Sequence, residues 1–339
     1  MSAALHVTTA GAAVTVEDLT GRHAAPLARA AGTHSGPPHA DPDVRVVVEP
    51  GHRPFDTTGL RPVTRGVWSG EDAVVLDSVG GSGFSQSWRI HTDALGGTRL
   101  EVRARWAPSP VERAAAVLRS RADALRAQVL LHYPALWWAM TRGMAPLHVS
   151  CLEVDGAVVV LAGPGGVGKT TLVADALAHG ARATCDNVAV SDGEVALGLR
   201  EPLRLAVADG GPATGARTTH GRRAMGWSGQ VPQLRPDLVV VVRRGDAPLA
   251  RPVDPMTARR ALVAGTYAAG ELRRLWTLTA VLGLATGTGP VHPPVDAIAQ
   301  RMTSALPCLE LQLGQVPGLP LQTLLAPHLG QAHRQGAVR

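Results

Sequence analysis

Leu161 to Gly180 reads LAGPGGVGKTTLVADALAHG. Within it Gly163, Pro164, Gly165, Gly166, Val167, Gly168, Lys169 and Thr170 match the spacing G-x-x-x-x-G-K-[ST], a loop that cradles phosphate. The context agrees: the apolar run AVVVLA precedes the loop and an amphipathic stretch follows it. Glycines let successive backbone N–H groups curl around phosphate oxygens that side chains would block. A helix starting here turns the positive end of its dipole toward the same oxygens. Lys169 is the only lysine in the chain, and the other 32 basic residues are arginine. A compact ammonium on a flexible stem fits between β- and γ-phosphates in a tight loop, where a planar guanidinium does not.

This reading predicts a nucleoside triphosphate held by residues 163–171 together with Mg²⁺. Thr170 offers its hydroxyl to the metal and Thr171 offers one to a phosphate. No NKxD guanine motif and no DxxG loop with a switch threonine occurs, so ATP is the expected nucleotide.

Two flanking residues are candidates for the chemistry. Asp186, in GARATCDNVAV, ends a predicted strand just after the loop helix. In a parallel sheet that strand end faces the phosphates. Its carboxylate either holds Mg²⁺ or accepts the proton of an attacking hydroxyl; capping the Asp-Asn bend is the alternative. His148, in PLHVSCLEV, falls on the predicted strand of a hairpin that turns at Asp155–Gly156 and leads into the loop.

The rest of the chain sets bounds. Of 339 residues, 45% are hydrophobic and 18% charged, enough for a packed core. Phe and Tyr number two each, so that core is aliphatic with tryptophans. No run approaches the ~18–20 apolar residues of a membrane span. MSAALHVTTAGAAV has no basic segment leading an apolar one, so no secretion signal is expected. Cys151, Cys185 and Cys308 form no metal spacing and read as buried free thiols in a reducing cytoplasm. The net charge of +6 invites an acidic partner. The arginines are dispersed, however, and no nucleic-acid-binding motif occurs, which argues against nucleic acid.

Residues 1–107 read as a β-rich N-terminal region suited to substrate recognition. Strands are predicted at Ala13–Asp18, Asp43–Pro50 and Ala73–Val79. RLEVRARW alternates as a half-solvated antiparallel strand, with Leu100, Val102, Ala104 and Trp106 on one face and Glu101, Arg103 and Arg105 on the other. Arg103 and Arg105 are either ordinary surface or a dock for an acidic peptide. Residues 108–143 read as connecting helices. Ser109 caps a predicted helix to Tyr133, whose buried face is Leu118, Ala122, Leu125 and Val129. Residues 144–330 read as the catalytic domain and 331–339 as a tail. In 144–330, Asp237–Arg244 and Cys308–Gly314 read as strands, and Thr257–Ala264, Gly270–Leu284 and Val295–Ala305 as helices. Ala208–Gln230 shows little periodicity and reads as a long loop.

The run PLHVSCLEVDGAVVVLAGPGGVGKTTLVADALAHGARATCDNVAV resembles the catalytic domain of bacterial HPr kinase/phosphorylase and its smaller relatives. His148, Gly163–Thr171, Gly180–Arg182 and Asp186 match that family's motifs over about 45 residues. The resemblance implies an α/β fold, a P-loop kinase core of the phosphoenolpyruvate carboxykinase-like type. It implies Asp186 as base toward a serine hydroxyl, helped by His148, with Lys169 neutralising phosphate. It implies a peptide or protein substrate, of which a ribosomally made natural-product precursor is one precedent, and a homo-oligomer. The chain departs from the family at Asn187, where a second acid is usual, and in lacking E-I-R-G-x-G. An arginine is expected to steady the developing charge; Arg204, Arg222, Arg223, Arg243 and Arg244 are the candidates. A small-molecule kinase and a nucleotide-gated binding protein with slow hydrolysis stay open as alternatives.

Overall fold

Apolar alternation organises the first part of the chain. The computed structural model describes residues 3–32, 35–92, 97–115, 119–206, 216–217, 222–227, 229–314 and 319–336. The fold is mixed α/β, in two units. Unit 1 takes Met1–Gly143, Arg200–Gly226 and Arg274–Pro293; unit 2 takes Met144–Leu199, Trp227–Arg273 and Pro294–Arg339. Among the described residues no helix is long and apolar enough to cross a membrane.

Unit 1 is built on β1 (Ala3–Thr9), β2 (Ala12–Asp18), β3 (Val44–Glu49), β4 (Arg61–Thr64), β5 (Val67–Ser69), β6 (Val74–Leu76), β7 (Phe84–Thr92) and β8 (Thr98–Trp106). They form one sheet in the order β1-β2-β3-β8-β7-β6-β5-β4. Leu100, Val102 and Ala104 of β8 are buried, as the alternation predicts. The expected antiparallel setting holds on one side only: β8 runs antiparallel to β7 but parallel to β3, which is itself parallel to β2. Arg103 and Arg105 both pair with Glu49 and sit over the Phe55 ring, so their charges are engaged within the unit.

The helices of this unit are α1 (Ala24–Ala30), α2 (Pro110–Ala115), α3 (Arg119–Ala127) and α4 (Tyr133–Thr141). Ser109 and Glu112 close a capping box, each side chain accepting from the other's backbone N–H. The helix predicted from Ser109 to Tyr133 is helical at Pro110–Ala115 and Arg119–Ala127, but it is not regular to its end. A π-turn at Gln128–His132 inserts a residue and rotates the apolar row. Val129 is buried while Ala122 and Leu125 are half-buried, and Leu118 lies outside the described residues. α4 is buried at eight consecutive residues from Tyr133 to Met140 and packs on β2, β3 and β8. Such a helix, apolar all round, is stable only inside a core. Trp137 of α4 meets Trp88 edge to face at 5.9 Å.

Unit 2 opens with β9 (Ala145–Leu147), β10 (Val149–Val154) and β11 (Ala157–Ala162). There follow α5 (Lys169–Ala178), β12 (Ala183–Cys185), β13 (Ala189–Ser191) and β14 (Ala196–Gly198). Arg200–Gly226 returns to unit 1 as a small sheet of β15 (Leu203–Ala206), β16 (Ala216–Arg217) and β17 (Arg222–Met225). Most of the loop predicted at Ala208–Gln230 lies outside the described residues. Unit 2 resumes with β18 (Gln233–Leu234), β19 (Leu238–Arg244), β20 (Leu249–Pro252) and α6 (Pro255–Ala268). α7 (Arg273–Thr286) belongs almost wholly to unit 1, and α8 (Val295–Ala305), β21 (Cys308–Leu313) and α9 (Leu321–Gly336) complete unit 2.

Unit 2 holds two sheets. One has the order β12-β10-β11-β19-β21-β20, the other β18-β14-β13-β9. The strand predicted through Leu147–Val154 is therefore two strands in different sheets, with His148 at the crossing. ARATCDNVAV likewise divides into β12 and β13, with Asp186 and Asn187 between them. α6 packs on β9, β11, β19 and β21, and α5 on β10 and α9. All three cysteines are buried free thiols, and Cys151 faces Cys185 across β10 and β12.

Candidate functional site

The β10–β11 hairpin turns on Asp155 and Gly156, whose φ values of 47° and 81° fit the tight turns that hairpins favour. β11 is buried along its whole length and ends at Gly163. There φ is 147°, and a Cβ would lie 2.7 Å from the Val242 carbonyl oxygen. Only glycine lets the chain leave the sheet at this point. Pro164, Gly165 and Gly166 are exposed, Val167 is buried, and Gly168 precedes the first turn of α5. The opening N–H groups of α5 have no acceptor within the helix. α6 comes in close from another direction: a Cβ on Gly265 would lie 3.2 Å from the Gly163 carbonyl oxygen.

Lys169 is 6% exposed. Its Nζ donates to the carbonyls of Gly163 (2.8 Å) and Pro164 (3.2 Å). Burial lowers its pKa to about 8, against the opposing pull of the Asp186 and Glu271 carboxylates. At neutral pH the ammonium stays charged.

Strand direction gathers the other candidates at the same edge. β11 and β12 both run antiparallel to β10, and β19 and β21 run parallel to β11. The ends of β11, β12 and β19 and the start of β10 therefore share one edge. Asp186 follows β12 there and is 5% exposed. Ser150 Oγ donates to the Asp186 carbonyl and lies 3.5 Å from its Oδ1.

His148 sits at the β9–β10 crossing, 6% exposed. Its backbone N–H donates to Thr266 Oγ1 of α6 at 3.0 Å. Its Nε2 lies 3.1 Å from Asn187 Oδ1. Burial, reinforced by the charge of Lys169, pushes the imidazole pKa down to about 4. The ring is therefore neutral at pH 7, with Asn187 and the Gly265 backbone as its hydrogen-bonding neighbours. Asn187 Nδ2 is buried without a hydrogen-bond partner.

The site thus brings together the loop, Lys169, Asp186 and His148. Thr170 is half-buried and Thr171 exposed on the first turn of α5. One participant escapes the sequence reading. Glu271, between α6 and α7, acts on both Lys169 and His148 through its charge. No local motif flags it; only the path of α6 past Gly163 and His148 carries it there. Among the arginines, Arg244 ends β19 with a guanidinium nitrogen 3.6 Å from the position a Gly168 Cβ would take. Arg243 turns to Glu310 instead (3.1 Å). Arg204, Arg222 and Arg223 belong to unit 1, where Arg204 pairs with Glu201.

The donor set fits a triphosphate. Lys169 donates to loop carbonyls, and the buried Asn187 Nδ2 is a further donor without a partner. Among the described residues no three His, Cys, Asp or Glu side chains converge to hold a metal unaided.

The chain matches no protein-family profile and no curated protein. Among solved structures it is similar to the HPr(Ser) kinase/phosphatase from Coxiella burnetii, at 14% identity and a TM-score of 0.29, over 56% of this chain and 98% of that one.

Proposed function

We propose that the chain is an ATP- and magnesium-dependent kinase with a P-loop core of the HPr-kinase-like type, transferring the γ-phosphate to a serine hydroxyl of a peptide or protein. The observation that carries this reading is the convergence of buried Lys169, buried Asp186 and neutral His148 on the sheet edge where the glycine loop begins. Phosphoryl transfer asks a protein for positioning and charge neutralisation more than for covalent chemistry.

In this reading the loop N–H groups and Lys169 bind the phosphates, and Thr170 with Asp186 holds Mg²⁺. The bound metal supplies further charge neutralisation. Asp186 orients the acceptor hydroxyl and takes its proton. Ser150 fixes the backbone that carries Asp186. His148 holds the neighbouring Asn187 side chain in place. Arg244, beside Gly168, is the arginine best set to steady developing charge.

The test is transfer of label from γ-labelled ATP with Mg²⁺ to peptides and proteins of the host, with Asp186→Asn as control. A labelled peptide or protein with wild type alone supports the proposal. Label found only as inorganic phosphate points to a nucleotide-gated binding protein. Label in a metabolite points to a small-molecule kinase.

A further inference from the structure

Unit 1 has a recess of its own. β2, β3 and β8 are neighbouring parallel strands, and the chain leaves all three at one edge. In open α/β sheets the carboxyl ends of parallel strands are where ligands settle. Leu19 follows β2 here, Pro50 follows β3, and Trp106 ends β8. With Arg22, His23 and Arg126 they line a cavity of about 360 Å³, within the size range of ligand pockets.

His23 is 5% exposed and held in place: its backbone N–H donates to Asp18 Oδ2 at 2.6 Å, and its ring meets Phe84 edge to face at 5.3 Å. Its Nδ1 is nonetheless buried without a partner. Arg126 uses Nη1 on Asp123 (2.7 Å), while its Nε is also buried and unpartnered. Both nitrogens are shut off from solvent, and the charge at the recess comes from exposed Arg22 and from Arg126, whose side chain is 19% exposed. Arg22 is exposed and makes no ion pair among the described residues. The acid in the lining, Glu49, is already engaged by Arg103 and Arg105. The recess therefore presents net positive charge beside an apolar wall of Trp106, Leu19 and Pro50, and Leu19 is 48% exposed.

We propose that this recess binds an acidic peptide segment, with one carboxylate on Arg126 and Arg22 and a neighbouring apolar side chain against Trp106 and Leu19. Guanidinium groups suit carboxylates because their forked donors match the two oxygens. The apolar wall favours a carboxylate carried on a larger body over a free small anion. The assignment concerns unit 1 alone and stands apart from the kinase reading.

The experiment measures binding of a short fluorescein-labelled peptide of alternating Glu and Leu to the full chain by fluorescence anisotropy. The Gln-Leu peptide is the control and glutarate the competitor. The Glu peptide is expected to bind at least about tenfold more tightly than the Gln peptide, and Arg126→Gln to weaken it by about tenfold. Arg22→Gln, at an exposed position, is expected to do the same without disturbing the fold. Lys169→Ala is expected to leave peptide binding unchanged, which separates this site from the phosphate loop. Equal binding of the two peptides overturns the proposal, as does unchanged affinity in both arginine variants. Displacement by glutarate at concentrations matching the peptide's own affinity assigns the recess to a small carboxylate and overturns the peptide.

Discussion

Lys169 Nζ donates to the Gly163 carbonyl oxygen at 2.8 Å, so the ammonium ties the last turn of the loop to its first residue. The ammonium is buried and already aligned, with only weak neutral acceptors to give up when a phosphate arrives. Lys169→Ala is expected to lower MgATP affinity by about a hundredfold, the worth of one or two charge-assisted hydrogen bonds. Lys169→Arg is expected to fail as well, because a 6% exposed position among two carbonyls has no room for a guanidinium fork. Titration calorimetry on variants with native circular dichroism checks both. Unchanged affinity in Lys169→Ala removes the loop as the nucleotide site.

In the proposed reaction Asp186 separates binding from transfer. Its carboxylate lies within electrostatic reach of Lys169, and its backbone is held by Ser150. Asp186→Asn is expected to keep MgATP affinity within about tenfold while lowering transfer by about a thousandfold, the usual range for losing a general base. Ser150→Ala leaves the carboxylate present but less well placed, and kcat is expected to fall by about tenfold with KM steady. Quenched-flow measurement of a single turnover distinguishes the two. Transfer persisting in Asp186→Asn returns Asp186 to a structural role at the bend.

The parts of this site that are readable in the sequence are those fixed by neighbours in the chain. The Asp155–Gly156 turn depends on two consecutive residues and forms, as does the cap at Ser109 in unit 1. The crossing at His148 depends on which distant strand pairs with each side: β9 meets β13, while β10 meets β11 and β12. Apolar texture is the same on both sides, so the run reads as one strand. Similarly, the periodicity of Ser109–Tyr133 contains no sign of the π-turn, which follows from burying Val129–His132 together. Glu271 is invisible for the same reason as His148's position: its place is set by where α6 ends.

Glu271 sets the working range of Lys169. Its carboxylate holds the lysine pKa up against burial, as does Asp186. In the proposed function the protonated lysine binds phosphate, so nucleotide affinity is expected to decline as pH rises through about 8. Glu271→Gln removes one of the two supporting charges and is expected to move that midpoint to lower pH. The direction distinguishes this role from simple structural damage, which lowers affinity at every pH alike. MgATP affinity measured from pH 6 to pH 10 on wild type and variant is the check; an unmoved midpoint excludes the coupling.

Stability toward acid follows from three buried histidines. His23 and His132 in unit 1 and His148 in unit 2 each have a pKa lowered to about 4, with burial the largest cause. Nearby cations add to it: Arg126 at His23, Arg204 at His132 and Lys169 at His148. Asp18 at His23 and Glu271 at His148 pull the other way. Above pH 6.5 both folded and unfolded chains keep these rings neutral, and they contribute no pH dependence. Between 6.5 and about 4 the unfolded chain takes up protons that the folded chain refuses, so stability falls as pH falls. Below about 4 both forms are protonated and the loss is complete. Each ring accounts for at most about 3 kcal/mol. Tm is expected to drop steadily over this window, before the carboxylates with lowered pKa such as Asp18 and Glu49 begin to protonate. His132→Phe, which keeps an aromatic ring at a fully buried position, is expected to make the slope shallower. A Tm flat from pH 6.5 to pH 4.5 means that these imidazoles are solvated in the folded chain, and the neutral His148 of the proposed mechanism fails with it.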